Sequence, residues 1–201
     1  MTTTQCTYIP VIDIAHDHDR VVTALSAAFH RDPVFEWIYT DESWRREAVP
    51  AFFSLLTPAF ASRSQSRVTW DGDGAALWLP PGEQLLSDEE AESFMAEAAE
   101  DAGPAAGRLM QAFEIFEEHH PTEPHWYLGF LGVIPSRQGH GIGSELLETT
   151  LDRVDYAGEP AYLEATSADN RRLYERHGFK VVRDLPLPNG PTVFPMWRDP
   201  A

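Results

Sequence analysis

The sequence is poor in the residues that build several classes of chemistry. Cys6 is its one cysteine, so no intrachain disulfide, cysteine-based metal cluster or two-thiol redox pair can form within it. Lys and Arg number 15 against 32 Asp and Glu, a formal net charge of -17. Nucleic acids and anionic membranes reward clustered cations, so neither is an expected partner, whereas a cationic substrate is compatible. Long apolar runs are missing too. The longest candidate, VPAFFSLLTPAFA from Val49, is interrupted by Ser54, Thr57 and Pro58 and reads as a core helix rather than a membrane span. No basic region with an apolar signal core opens the chain, which predicts a soluble cytoplasmic protein. The eight histidines form no i, i+4 pair beside a suitable carboxylate, so no metal is expected.

What is present is an ordinary globular composition: 201 residues, 43% hydrophobic and 11% aromatic, enough for one domain over residues 1–201 with a substantial core. Charge is uneven along it. Glu83 to His120 holds eleven acidic residues against Arg108 alone, while His125 to Lys180 holds eight acidic and six basic residues. The acidic stretch reads as a solvated helix face.

Periodicity predicts a first strand over Cys6–Ile12 and an amphipathic helix over Asp17–Phe29. A short helix follows from Pro33, then a longer one over about Ser43–Phe60, limited or kinked by Pro50 and Pro58. Arg67–Trp70 and Ala75–Leu79 form a hairpin across DGDG, since Asp-Gly tolerates positive backbone angles. From Ser87, two helices are divided by Gly103, Pro104 and Gly107. Trp126–Ile134 is an apolar strand stopped by Pro135. Beyond a glycine turn, a helix runs to about Ala157, with Gly158 and Pro160 as stop signals. Ala161–Thr166 is the next strand, with Tyr162, Glu164 and Thr166 on one face. Ser167 or Asp169 caps a helix bearing Asn170 and Tyr174 on one side. Phe179–Arg183 and Val193–Trp197 close the fold around the turn at Asn189-Gly190.

The glycine turn is where the chemistry concentrates. Gly139, Gly141 and Gly143 let the backbone bend sharply and approach a ligand, and the unpaired amides at a helix start suit a phosphate. A dinucleotide site is disfavoured: the spacing is G-x-G-x-G rather than G-x-G-x-x-G, Pro135, Ser136 and Arg137 intervene, and the unit falls late in the chain.

Gln138 to Gly143, preceded by Val133-Ile134-Pro135, resembles the Q-x-x-G-x-G signature of the GNAT family of N-acetyltransferases, and NRRLYERHGF resembles its second signature. HHPTEPHWYLGFLGVIPSRQGHGIGSELL, YLEATSADNRRLYERHGF and NGPTVFPMWR are similar to the puromycin N-acetyltransferase-like members. The resemblance implies an α/β (α+β) fold, with a central mixed, mostly antiparallel twisted sheet of about six to seven strands and helices on both faces. Residues 1–124 would form the acceptor side and 125–201 the acetyl-CoA-binding core.

It implies acetyl transfer from acetyl-CoA to the primary amine of a small molecule, an aminonucleoside antibiotic such as puromycin being one candidate, by a monomer or homodimer. The amides of Gln138, Gly139, His140, Gly141, Ile142, Gly143 and Ser144 would bind the pyrophosphate, with Arg137 nearby. Leu131, Gly132 and Val133 would pair with the pantetheine arm, and an amide there would polarise the thioester carbonyl. Asn170 would contact the cofactor. Tyr174 would be general acid, since a phenol of reference pKa about 10 can protonate a thiolate whose conjugate acid lies near 8.5. Glu164, a carboxylate in an apolar strand, would be general base or amine anchor unless Arg171 or Arg172 pairs with it. Asp32, Phe35, Glu36, Trp37, His125 and Trp126 are the candidate acceptor contacts. Protein lysine or N-terminal acetylation, and a silent acyl-CoA-binding module, remain open.

Overall fold

A computed structural model describes residues 10–13, 17–62 and 65–200. The first strand, β1, is described over Val11–Asp13; residues 6–9 of the anticipated strand lie outside the described residues. Helix α1 (His18–Phe29) buries Val21, Ala24, Leu25 and Phe29 along one stripe. Helix α2 (Pro33–Ile38) starts where the Asp32 carboxylate accepts the amides of Val34 and Phe35 and Pro33 presets the first turn. Helix α3 (Glu42–Ala61) contains Pro50 and Pro58 within its length. Burial of Val49, Phe52, Phe53, Leu56 and Phe60 along it offsets the backbone bonds that two prolines remove.

Strands β2 (Arg67–Thr69) and β3 (Gly74–Leu79) make the hairpin, Gly72 taking the positive φ and Thr69 Oγ1 accepting the amides of Asp73 and Gly74. Helix α4 (Asp88–Ala102) begins with a Ser87/Glu90 capping box. A 3-10 turn at Gly103–Ala105 separates it from α5 (Ala106–His119); Gly107 lies inside α5 and breaks nothing. Then come β4 (Trp126–Val133), α6 (Ile142–Ala157), β5 (Ala161–Ala165) and α7 (Ala168–Arg176). Of the strand expected at 179–183 only β6 (Lys180–Val181) forms, followed by an unanticipated β7 (Leu185–Pro186) and by β8 (Thr192–Arg198).

Seven strands run in the order β1-β2-β3-β4-β5-β8-β6, and β7 pairs with β8. Every pairing is antiparallel except β4 with β5. One core, containing the buried residues of α1 to α5, covers one face of the sheet; α6 and α7 bury Leu146, Leu147, Leu151, Val154 and Tyr174 in a second core on the other. Among the described residues, no helix is long and apolar enough to cross a membrane, and no group of three His, Cys, Asp or Glu is placed to hold a metal.

The irregularity in β4 governs the site. Leu77 pairs with Phe130 but Trp78 with Leu128, so Gly129 is an extra residue and the side-chain alternation reverses there. Trp126 and Leu128 belong to the core under α6, whereas Phe130 packs into the core under α3. A side chain at 129 would put its Cβ 2.7 Å from Phe60 Cζ, which is why glycine stands there.

Candidate active site

The same place marks a fork in the sheet. β4 and β5 pair only over Trp126–Leu128 and Ala161–Leu163; beyond that they separate, leaving the β5-facing edge of Gly129–Val133 without a strand partner. Two cavities open at the fork, of about 820 and 570 Å3. Both are lined by Phe29, Leu131, Asn170 and Tyr174.

The larger cavity brings together Leu131, Gly132, Val133, Arg137, Gln138, Gly139, Gly141, Ile142, Gly143, Ser144, Asn170 and Tyr174. Gly139 and Gly141 take φ of +78° and +86° with open space where a Cβ would stand. Gly141 caps α6 without a side chain to accept its first amides, so those donors face the cavity. Arg137 is held by Asp73 (Nε to Oδ2, 2.7 Å), and the Gln138 side chain donates to the Val133 carbonyl (3.1 Å). His140 is exposed, its Nδ1 2.9 Å from the Gln138 carbonyl, and its side chain is outside the lining. Two further arginines line this cavity, Arg31 and Arg176. With Arg137 they place three guanidinium groups in a lining that also holds the carboxylates of Asp32 and Asp169.

Tyr174 is 6% exposed. Burial first, and then the charge of Asp32, push its phenol well above the usual value near 10. Asp32 itself is buried; it accepts from the Thr166 hydroxyl as well as from the two α2 amides, and burial raises its carboxyl above the ordinary range despite those bonds. Thr166 in turn accepts from Asn170 Nδ2 at 3.2 Å. Asp32, Thr166 and Asn170 thus form a hydrogen-bonded set at the wall between the cavities, with Tyr174 in the field of Asp32.

Glu164 faces the smaller cavity, its side chain 8% exposed. Tyr127 donates to its Oε2 at 2.9 Å, while Oε1 is buried with no hydrogen-bond partner. The arginines that could have neutralised it are engaged elsewhere: Arg171 with Glu175 and Arg172 with Asp169. Its nearest basic neighbour is His120, with Nδ1 3.7 Å from Oε1. The proton placement around His120 follows from its contacts. His125 Nδ1 sits 2.6 Å from the Glu123 carbonyl, which only accepts, so that nitrogen carries the hydrogen. Burial pushes the His125 pKa down, so its neutral Nε2 accepts from His120 Nε2 at 3.2 Å. His120 therefore turns Nδ1 towards Glu164.

Four of the anticipated acceptor contacts lie outside both cavities. Glu36 points to solvent and pairs with Arg45 at 3.5 Å. Trp37 is buried against Gly190, donates to the Pro188 carbonyl at 3.0 Å and stacks under Arg108. Trp126, on the α6 side of the bulge, donates to Glu159 at 2.7 Å. His125 is screened by His120 and orients it. Phe35 lines the smaller cavity and Asp32 the larger. Sequence reading missed His120, Tyr127, Thr166, Arg31 and Arg176. Thr166 was within reach, because it shares the Tyr162/Glu164 face of β5.

The sequence model of the acetyltransferase (GNAT) family matches residues 35–179. The chain belongs to that family. It is 26% identical to an uncharacterized N-acetyltransferase of Schizosaccharomyces pombe over 187 residues, 86% of this chain and 74% of the yeast protein. Among solved structures, "histone acetyltransferase HPA2 and related acetyltransferase" of Corynebacterium glutamicum superposes with a TM-score of 0.68 at 27% identity, over 96% of this chain and 97% of the other. The Drosophila melanogaster polyamine N-acetyltransferase shares the fold, with a TM-score of 0.62 at 17% identity over 96% and 100% of the two chains. The GNAT fold thus accounts for the mixed sheet and its helices on both faces.

Proposed function

We propose that this GNAT protein transfers the acetyl group of acetyl-CoA directly to the primary amine of a small molecule. The observation that carries the reading is the meeting of two cavities at Tyr174 and Asn170: one lined by Arg31, Arg137 and Arg176, the other holding a buried Glu164 oxygen that accepts no hydrogen bond. An anionic donor fits the first and a cationic acceptor the second. The Drosophila relative, named for polyamine acetylation, supports a small basic amine; an aminonucleoside of the puromycin type is one member of that class.

The donor site fits coenzyme A through the uncapped start of α6, the three arginines and the strand-free edge of β4. Bound there, acetyl-CoA supplies the activated acetyl thioester. The amides from Gln138 to Ser144 hold the pyrophosphate, with Arg137 adding charge. The Leu131–Val133 edge holds the pantetheine arm extended, and an amide of that edge polarises the carbonyl. Asn170 contacts the donor beside Tyr174. Glu164 accepts the first proton of the substrate ammonium, which frees the lone pair for attack; as the C–N bond forms and the C–S bond breaks, Tyr174 donates its proton to the departing thiolate and is reprotonated by the second proton that the acylated nitrogen sheds. Burial and Asp32 keep the phenol protonated at neutral pH, the state a general acid requires.

The test is release of free thiol from acetyl-CoA with a panel of puromycin, polyamines, aminoglycosides and lysine peptides, with Tyr174→Phe as control. Turnover of a small amine, depressed in the variant, is expected. Exclusive turnover of the peptides would replace the acceptor class, and failure to bind acetyl-CoA would overturn the donor assignment.

A further inference from the structure

The wall of the smaller cavity is divided by chemistry. All of its polar side chains come from α5, β4, β5, the loop after β5 and α7, with His120 after α5: Glu114, Glu117, His120, Tyr127, Glu164, Thr166, Asn170 and Tyr174. The parts contributed by α2, α3, α4 and the loop between β3 and α4 are wholly apolar. Phe35, Phe52, Phe60 and Phe94 stand in these parts; Phe35 packs on Phe52, and the other three pack against Phe113 of α5 or Phe130 of β4. Phe52 stacks on Phe113 at 6.3 Å between centroids, Phe94 tilts against Phe113 at 6.2 Å, and Phe60 meets Phe130 edge-on at 6.5 Å. No lysine or arginine lines the cavity.

We infer that the cavity takes a primary amine with a single cationic end and an apolar, aryl-sized body, in preference to a polycation or a polyhydroxylated amine. The inference rests on the acetyl-transfer reading for where the amine reacts, and on the cavity for what lies behind it. Two observations converge. The buried Glu164 Oε1 accepts no hydrogen bond from the protein, and its basic neighbour, His120 Nδ1, stands off at 3.7 Å, so an ammonium placed beside it supplies the missing donor and neutralises the charge in one contact. Behind that point the cavity, at 570 Å3, is within the roughly 300–1,000 Å3 range of small-molecule sites, and its far wall offers nothing to a second ammonium or a row of hydroxyls. Desolvating such groups there is unfavourable. Glu114 and Glu117 are exposed on α5; in water their charges are screened, so they draw cations to the mouth more than they anchor a second one.

The experiment measures binding by calorimetry with coenzyme A present, and turnover by thiol release with acetyl-CoA. The ligands are 4-phenylbutylamine, the neutral 4-phenylbutanol, spermidine, kanamycin and the n-alkylamines from butyl to octyl. The aryl amine is expected to bind at least about tenfold more tightly than the alcohol or spermidine, and each added methylene to tighten binding about two- to fourfold. Leu86→Trp, on the loop between β3 and α4 and half-buried, narrows the apolar end and is expected to weaken phenylbutylamine several-fold while leaving butylamine unchanged. Spermidine or kanamycin binding as tightly as the aryl amine, or the alcohol matching it, would overturn the inference. The two readings fail separately: efficient acetylation of spermidine alone would remove the pocket inference and keep acetyl transfer, whereas tight aryl-amine binding without turnover would support the pocket and remove the transfer.

Discussion

Replacing Glu164 by Gln isolates one charge with little change of shape. The Tyr127 hydroxyl can still donate to the amide oxygen as it does to Oε2 at 2.9 Å, and no arginine is released, since none is paired with Glu164. What disappears is the proton acceptor and the negative charge. Loss of a positioned base lowers rate about 10²–10⁴-fold, equivalent to about 2.7–5.5 kcal/mol of transition-state stabilisation. Loss of the charge acts on binding: at about 4 Å and an effective dielectric near 20, a carboxylate attracts an ammonium by up to about 4 kcal/mol, of which the Gln dipole retains part. Both kcat and amine affinity should therefore fall, while acetyl-CoA affinity, set in the other cavity, stays. Folding stability should hold or rise, because a carboxylate oxygen buried without a hydrogen bond is replaced by a neutral amide. Steady-state kinetics with a saturating donor, calorimetry with coenzyme A and a thermal melt read all four quantities. A variant whose kcat/KM for the amine stays within about fivefold of the parent, far short of the smallest loss expected from a base, would refute the reasoning. So would an unchanged pH-rate profile with unchanged amine affinity.

Other perturbations separate the remaining parts. Tyr174→Phe should lower kcat about 10²–10⁴-fold with acetyl-CoA affinity within a few-fold, read by calorimetry and thiol release. Gly141→Val forces a β-branched residue to φ +86°, about 1–2 kcal/mol of strain at the first amides of α6, so KM for acetyl-CoA should rise about tenfold or more while KM for the amine holds. Asp32→Asn keeps a helix cap and removes a buried charge. The Asp32 pKa is raised in the fold, so its contribution to stability is present below the unfolded value of about 3.9 and is lost as pH rises through the folded value. The melting temperature of the Asn variant relative to the parent should therefore increase from acidic to neutral pH; a pH-independent difference would sink the assignment. Gly132→Ala places a Cβ 2.7 Å from Ala28 Cβ and 3.0 Å from Leu25 Cδ2, an overpacking cost of about 1–3 kcal/mol, at about 2–4 °C of melting temperature per kcal/mol.

Much of this architecture is written in local patterns. The strand, glycine turn and helix from Trp126 to Ala157 are marked by an apolar run, Pro135, positive-φ glycines and a terminal Gly158, and they form nearly where those signals stand. β5 alternates so cleanly that Glu164 and Thr166 could be assigned a shared face from sequence. Ser167 caps α7 as a serine before a helical period should. The helix expected over about Ser43–Phe60 also forms, as α3, with its buried aromatic stripe carrying it across two prolines. Signals fail where a strand is too short to show a period, as in β6 and β7.

The acceptor side was less legible for two geometric reasons. In α2, successive side chains turn by about 100°, so when Phe35 faces the cavity, Glu36 and Trp37 are carried away from it: one to Arg45 and solvent, the other under Arg108. In β4 the extra residue at Gly129 reverses the alternation, which puts Tyr127 and Phe130, an odd and an even position, on the cavity side and sends Trp126 to the opposite core. A glycine inside an apolar strand hints at a bulge, but its location depends on the register with β3, which local sequence does not encode. The bulge and the fork are one feature of the fold. Because Gly129 breaks the pairing pattern one residue after the last β4–β5 contact at Leu128, the strand edge turns free where Glu164, Tyr127 and Tyr174 converge, and the irregularity that hid the site from sequence is what opens it.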